Sequence, residues 1–271
     1  MKKLIVLSLL LIPVCGCGKK PFSVDPSLNN QEALNENTEH NGDTNTPDTP
    51  QEEDIFPEYV GKLETLEGHG DIYSYLDGDQ GLILCFHGTF GSAAGWSNAN
   101  TEKNDFLQDL AKIGWSFLCP TSLDRNIKQW NPTNNSTNLD VINVENILEK
   151  LKISVNIPLL IVGHSNGGGF SSRYAVFATK FINIQAIQFS NSTGLRRILE
   201  DPSYNYPTLF NYTERDDIVD SLRVRENFEV LNLKLPNMVI QNQLDAQYEA
   251  RGLTNFHEFL NTSDKILELM D

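Results

Sequence analysis

A serine framed by glycines, Gly163-His164-Ser165-Asn166-Gly167, follows four apolar residues, Leu159, Leu160, Ile161 and Val162. The spacing G-x-S-x-G is that of a nucleophile elbow. A strand turns within a few residues into a helix and holds the serine in a strained conformation, so the positions two before and two after it have room for almost no side chain. Such a turn leaves the Ser165 hydroxyl at the strand end. It also aims the backbone N–H of Asn166 and the positive end of the following helix at whatever the serine attacks. The chemistry on offer is nucleophilic attack on a carbonyl. A glycine-rich turn with an ordinary serine would share the same five letters, but Phe170, Tyr174 and Phe177 continue at helical spacing behind the motif, as an elbow requires.

Elements able to hold such a turn are legible on both sides of it. Strands are predicted over 62–66 and 72–76, joined through Gly68-His69-Gly70 as a hairpin, and then over 82–86, 115–119, 184–189, 208–212 and 237–241. Helices are predicted over 102–113, 141–151 and 221–230, with a final apolar helix near the end of the chain. Val141, Val144, Leu148 and Leu151 line one side of the second of these. Strand and helix in alternation imply a mostly parallel twisted sheet with helices on both faces.

Composition sets the frame around them. With 271 residues, 39% hydrophobic and 21% charged, the chain can bury one sizeable core. Residues 19–57 lack apolar periodicity, and from Pro21 to Glu58 there are ten acidic residues and no Lys or Arg. That stretch reads as a disordered tether, because it cannot bury enough surface to repay its ordering entropy. Most of the net charge of −15 falls there, and it argues against nucleic acid as a partner. At the start, Lys2-Lys3 precede a short apolar run, Leu4 to Ile12, too brief to span a bilayer. No His/Cys/Asp cluster has metal-ligand spacing and no glycine loop suits a phosphate, so no cofactor and no metal are expected. Cys85 and Cys119 end neighbouring predicted strands, where a disulfide is geometrically awkward, so two buried free thiols are expected.

Several separated motifs resemble one family. His87-Gly88-Thr89 after the third strand, Ser165-Asn166-Gly167-Gly168 with Arg173-Tyr174-Ala175 in the elbow helix, the Trp130 loop leading to Asp140-Val141, and Asp216-Asp217-Ile218-Val219 after a late strand together resemble an α/β-hydrolase. Within that superfamily the chain is most similar to the secreted polyhydroxybutyrate-depolymerase and feruloyl-esterase group, although it lacks the Gly-His-x-Trp surroundings which that group tends to show near its histidine. The likeness covers roughly residues 60–260 and implies the α/β-hydrolase fold without a large cap domain. It implies the chain order Ser, Asp, His for a catalytic triad. Of the five histidines only His257 lies downstream of the serine. His40 falls in the tether, His69 in an early turn, His87 in the glycine turn as a brace, and His164 should point into the fold. By resemblance Asp216 orients His257, with Asp217 as the alternative acid. The backbone N–H groups of Thr89 and Asn166 would form the oxyanion hole. Phe90, Trp96 and Trp130 are candidates for lining a substrate pocket, or else for packing the core.

Val14-Cys15-Gly16-Cys17 resembles the lipobox of bacterial lipoproteins, with cleavage before a cysteine that is then lipidated. Cys17 is the expected acceptor, since Cys15 has Pro13 and Val14 where the lipobox prefers small residues. A plain secretory signal is the alternative. The expected organisation is a signal peptide over 1–16, lipid-anchor cysteine and tether over 17–57, and an α/β-hydrolase domain over 58–271. The expected location is the outer membrane or cell surface, with the protein held there as a monomer through palmitate-type lipidation. Three functions fit: an esterase working through an acyl-enzyme on a small or polymeric ester, a serine peptidase on the same fold, or a catalytically silent binding protein. The 21 residues between Cys119 and Val141 are the only room for a lid.

If Cys17 carries the lipid, Cys17→Ser converts a membrane-held protein into a soluble exported one, while Cys15→Ser is still processed. Fractionation of cells expressing each variant checks this, and equal release of both overturns the lipobox assignment.

Overall fold

The computed structural model describes residues 61–270; the leader, Cys17 and the acidic tether lie outside the described residues. An antiparallel hairpin, β1 (Lys62–Leu66) and β2 (Gly70–Tyr75), opens the sheet. The strands that follow are β3 (Gly81–Phe86), β4 (Trp115–Pro120), β5 (Leu159–His164), β6 (Ile184–Ser190), β7 (Thr208–Tyr212) and β8 (Val239–Gln243). Their order across the sheet is β1-β2-β4-β3-β5-β6-β7-β8, with β2 antiparallel to β4 and every later pair parallel. The reversal of direction in strand order falls between β3 and β5, where ligands of open parallel sheets collect at the carboxyl ends of the strands. Ser165 follows β5 and His87 follows β3 at that end.

Helices cover both faces, which is why β3, β4 and β5 are buried along their whole length and read as continuous apolar runs. On one face Leu84, Phe86 and Ile161 pack under α2 (Leu139–Lys150), α3 (Asn166–Phe177), α4 (Arg196–Leu199) and α5 (Ser221–Lys234). On the other, Ile83, Leu160 and Val162 pack under α1 (Glu102–Lys112) and α7 (Ser263–Met270). Cys85 and Cys119 lie side by side on that second face as free buried thiols, and burial pushes the Cys119 thiol well above its ordinary pKa.

Local rules explain where elements begin and end. Asn138 caps α2 by accepting from the N–H groups of Asp140 and Val141, so that helix starts two residues earlier than its apolar periodicity suggests. Helix α5 runs on to Lys234 because Leu231 and Leu235 still reach the core. Asn237, at a φ of 68°, then turns the chain, and β8 begins at Val239, two residues later than periodicity predicts. Strand β2 likewise begins at Gly70 and not at Ile72, because its pairing with β1 continues through Leu66 and Gly70. Two short helices, α4 and α6 (Asp245–Ala250), have too few residues to show a period at all.

The elbow is closed by contact between backbones. A Cβ built on Gly167 would stand 2.2 Å from the carbonyl oxygen of Phe86, and one on Gly163 would stand 2.4 Å from the carbonyl oxygen of Gly167. Gly167→Ala should therefore destabilise the domain by at least about 3 kcal/mol and lower its melting temperature by about 6 to 12 °C. Gly95→Ala, where a Cβ meets nothing within 4 Å, is the control and should stay within about 0.5 kcal/mol. Calorimetry of the two variants checks the contrast.

Candidate active site

Ser165 sits between β5 and α3 at φ 53° and ψ −121°, a conformation that L residues avoid and that costs on the order of 1–3 kcal/mol. Two contacts hold it there. Its N–H donates to the Ser190 carbonyl at the end of β6, 2.9 Å away, and Gly167 presses the first turn of α3 onto the end of β3. Among the described residues the Ser165 hydroxyl makes no hydrogen bond. An unliganded nucleophile often shows this, since such bonds tighten only once substrate is in place.

The loop after β3 comes up against the serine. A Cβ on Gly88 would lie 3.0 Å from Cβ of Ser165, so the turn that carries Thr89 abuts the serine. The turn is held by Gly91 N–H donating to the Gly88 carbonyl and Phe90 N–H donating to the Ile127 carbonyl, with Phe90 at a φ of 63°. Among the described residues the N–H of Thr89 has no acceptor, and that of Asn166 falls in the first turn of α3, where no intrahelical acceptor exists. Two unsatisfied donors thus flank the serine, one from each strand end.

His87 braces this turn. Ser122 N–H donates to its Nε2 at 3.1 Å, which leaves Nδ1 to carry the proton and donate to the Gly88 carbonyl at 2.7 Å. Burial lowers its pKa to about 4, so the ring is neutral and both nitrogens are occupied. Trp130 completes the brace by donating its indole N–H to the His87 carbonyl at 2.7 Å and its backbone partner contact to Asn166, whose side-chain oxygen accepts from Trp130 N–H at 3.0 Å.

His257 and Asp216 meet from separate elements. Asp216 lies in the loop after β7 with its side chain 2% exposed. One carboxylate oxygen accepts from the N–H groups of Ile218 and Val219 at 2.7 and 2.9 Å, and the other faces His257 Nδ1 at 2.7 Å. The carboxylate is thereby locked, and the imidazole keeps its proton on Nδ1, leaving Nε2 free to accept one. Asp217 is exposed, on the outer side of the same turn. The backbone of the His257 loop is tied down at three successive carbonyls. His164 Nε2 donates to the His257 carbonyl at 2.8 Å, and the Asn191 amide reaches the carbonyls of Phe256 and Glu258 at 3.4 and 2.7 Å. The Tyr248 hydroxyl also donates to the Glu258 carbonyl. Periodicity offers no signal for Asn191 or Tyr248, because one follows a strand and the other lies on a single helical turn; the positive φ of Asn191, 45°, is what a turn asparagine could have suggested.

Of the aromatic candidates, two belong to the core. Trp96 is fully buried, edge-on to Phe259 at 5.3 Å, and this is the core-packing one of its two readings. Trp130 borders a cavity of about 300 Å³, yet its ring is 1% exposed, stacked on Phe170 at 4.4 Å and edge-on to Phe86 at 5.1 Å. Both rings gain more by filling the space under the loops than by facing water. Phe90 alone is open, 72% exposed at the lip of the Thr89 turn. Two hollows adjoin the site: one of about 710 Å³ with Lys103, His164, His257 and Phe259 on its walls, and one of about 330 Å³ with Ser165, Asn166, Arg173 and Val219.

No family model and no curated protein matches the chain. Solved structures do. The Pyrococcus furiosus esterase Pf2001 superposes with a TM-score of 0.54 at 12% identity, covering 79% of this chain and 92% of its own. The thioesterase domain from the curacin biosynthetic pathway gives 0.51 at 11% identity, covering 78% and 98%. The bromoperoxidase from Bacillus anthracis gives 0.50 at 14%, covering 78% and 99%. At such identities the likeness establishes the fold, while the reaction must be argued from the site.

Burial makes a prediction about pH. His87 stays neutral in the folded protein down to about pH 4, while in the unfolded chain it takes up a proton near pH 6.5. Between those values the unfolded state binds more protons, so stability falls as pH drops through the window, by up to about 1.4 kcal/mol per pH unit for each such group. His164, pushed well down by burial, acts in the same direction. Urea unfolding at pH 7, 6 and 5 should show this slope, and His87→Gln should flatten it by about one proton; an unchanged slope in the variant overturns the assignment.

Proposed function

We propose that this chain, which has the α/β-hydrolase fold, is a serine hydrolase that cleaves carboxylic esters through an acyl-enzyme. The observation that carries the reading is the Asp216–His257 pair at 2.7 Å beside a serine at φ 53°. One oxygen of this carboxylate fixes its own turn, and the other is then free to hold one imidazole tautomer ready for proton transfer.

In this reading the Ser165 oxygen attacks the ester carbonyl as its proton passes to His257 Nε2. The tetrahedral oxyanion takes hydrogen bonds from the N–H groups of Thr89 and Asn166, each worth on the order of 3 kcal/mol to the barrier. Asp216 stabilises the imidazolium. Collapse breaks the bond to the alkoxide, which leaves as the alcohol with the proton from His257. Water then attacks the acyl-enzyme, giving its proton to His257, and release of the carboxylic acid returns that proton to Ser165. His87 takes no part, because both of its nitrogens are held within the turn.

The finer parts of the proposal rest on sequence. Likeness to the polyhydroxybutyrate-depolymerase and feruloyl-esterase group suggests a small or polymeric ester, and the Cys17 lipobox with its acidic tether suggests a monomeric, exported lipoprotein held at a membrane.

Hydrolysis of short-chain 4-nitrophenyl esters tests the central claim. Ser165→Ala and His257→Ala should each lose activity by a factor on the order of 10⁶, the double variant little more, and Asp216→Asn on the order of 10⁴. Asp217→Asn should stay near wild type, since its side chain faces solvent. Wild-type turnover by a folded Ser165→Ala protein would remove Ser165 as nucleophile and the ester-hydrolase reading with it.

A further inference from the structure

Arg173 is a buried charge without a countercharge. It projects from the third turn of α3 and is 6% exposed. Its Nε donates to the side-chain oxygen of Asn134 at 2.8 Å, and among the described residues neither terminal nitrogen has an acceptor. Five other arginines, Arg196, Arg215, Arg223, Arg225 and Arg251, each lie on a carboxylate. The stem and Nε are enclosed while the terminal nitrogens border a cavity, so the guanidinium has room there for a partner that arrives from outside.

Its position says where that partner would sit. Helical side chains lean toward the N-terminus, and Nη1 of Arg173 comes within 3.7 Å of where a Cβ on Gly169 would stand. Gly169 is about one turn, roughly 4.5 Å of rise, from Asn166. The guanidinium therefore faces the cavity of about 330 Å³ that Ser165 and Asn166 also line, a few methylenes from a carbonyl held at the serine. Arg223 stands on the wall of the same cavity. Asp220 lies on that wall too, pairing with Arg223 through one carboxylate oxygen at 3.5 Å and capping α5 through the other, which accepts from the N–H of Leu222 at 3.0 Å. On the side of the smaller, 300 Å³ hollow, the carboxylates of Asp124 and Asp140 are taken up by backbone N–H groups of Asn126, Ile127, Leu123 and Asn131. Burial, with the like charge of Arg197 added to it, lowers the Arg173 pKa to about 10, which leaves the group cationic at neutral pH.

We propose that the ester this site accepts bears an oxyanion, a carboxylate or a phosphate, which seats on the Arg173 fork in the cavity beside Ser165. The inference rests on the hydrolase reading and names its substrate class. Two parallel N–H groups of a guanidinium match two oxygens of either anion, and an anion there also offsets the like charge of Arg197 on Arg173. A cavity of this size, at the small end of ligand pockets, suits a short anionic arm better than a polymer segment.

The test compares kcat/KM for the mono-4-nitrophenyl ester of adipic acid with that for 4-nitrophenyl hexanoate, an acyl chain of equal length without the charge. Wild type should prefer the anionic ester at least about tenfold, with the preference shrinking as salt is raised. Arg173→Met should bring the ratio near one, and Arg173→Lys should restore part of it. Because the readout is a ratio within one protein, partial loss of folded enzyme leaves it unchanged. Inhibition of hexanoate hydrolysis by adipate and by inorganic phosphate separates the two anions: the tighter competitor identifies the group, and either supports the site. Cleavage of the hexanoate ester with no charge preference, or a preference that survives in Arg173→Met, overturns the inference and leaves the hydrolase reading intact. Failure of wild type to cleave either ester removes the hydrolase reading and takes this inference with it.

Discussion

The approach of Gly167 to the carbonyl of Phe86 is the constraint on which the rest of the site depends. It brings the first turn of α3 onto the end of β3, and by doing so it places a helix N-terminus, a strained serine and a glycine turn within a few ångströms of one another. Any side chain at residue 167 or 163 would push these apart. The strain at Ser165 is sustained because its neighbours are fixed from both directions: its own N–H is bound to the Ser190 carbonyl, and His164 before it is buried and bonded across to the His257 loop. Strained backbone at a functional site persists only when it is over-determined in this way.

The two histidines beneath the site are held differently from the one that meets Asp216. His87 and His164 are both buried and both held neutral, and each spends its hydrogen bonds on backbone. Three carbonyls in succession around His257 are bound by His164, Asn191 and Tyr248, so the loop carrying the imidazole is held by side chains from β5, from the end of β6 and from α6. A loop with no regular structure of its own acquires position from these bonds. The pair at stake is then Asp216 and His257, whose remaining degree of freedom is the proton on Nε2.

Charge is distributed unevenly over the chain. The excess of acidic residues is heaviest before residue 59, while the walls of the hollow beside Ser165 carry Arg173 and Arg223. The acidity of the whole sequence therefore does not describe the charge around Ser165.

Local chemistry determined much of this protein from the sequence alone. Ser165 between two glycines after an apolar strand can fold in few ways, and the apolar periods of α1, α2 and α3 place the helices against the sheet because burial of a stripe has only that solution. His257 was legible by its position downstream of the serine, and the Asp216 turn by its pattern. What only the tertiary structure decided are matters of direction and distance. Asp216 faces His257 while Asp217 faces solvent, a difference of one residue in a turn that no periodicity resolves. Trp96 and Trp130, which by type could have lined a pocket or packed the core, are buried against Phe259 and against Phe86 and Phe170. Asn191 and Tyr248 are ordinary letters in the chain, and their roles arise from bonds across 57 and 67 residues of sequence. Helix and strand follow from short-range pattern, whereas a site is made where distant segments converge, and that convergence is set by packing.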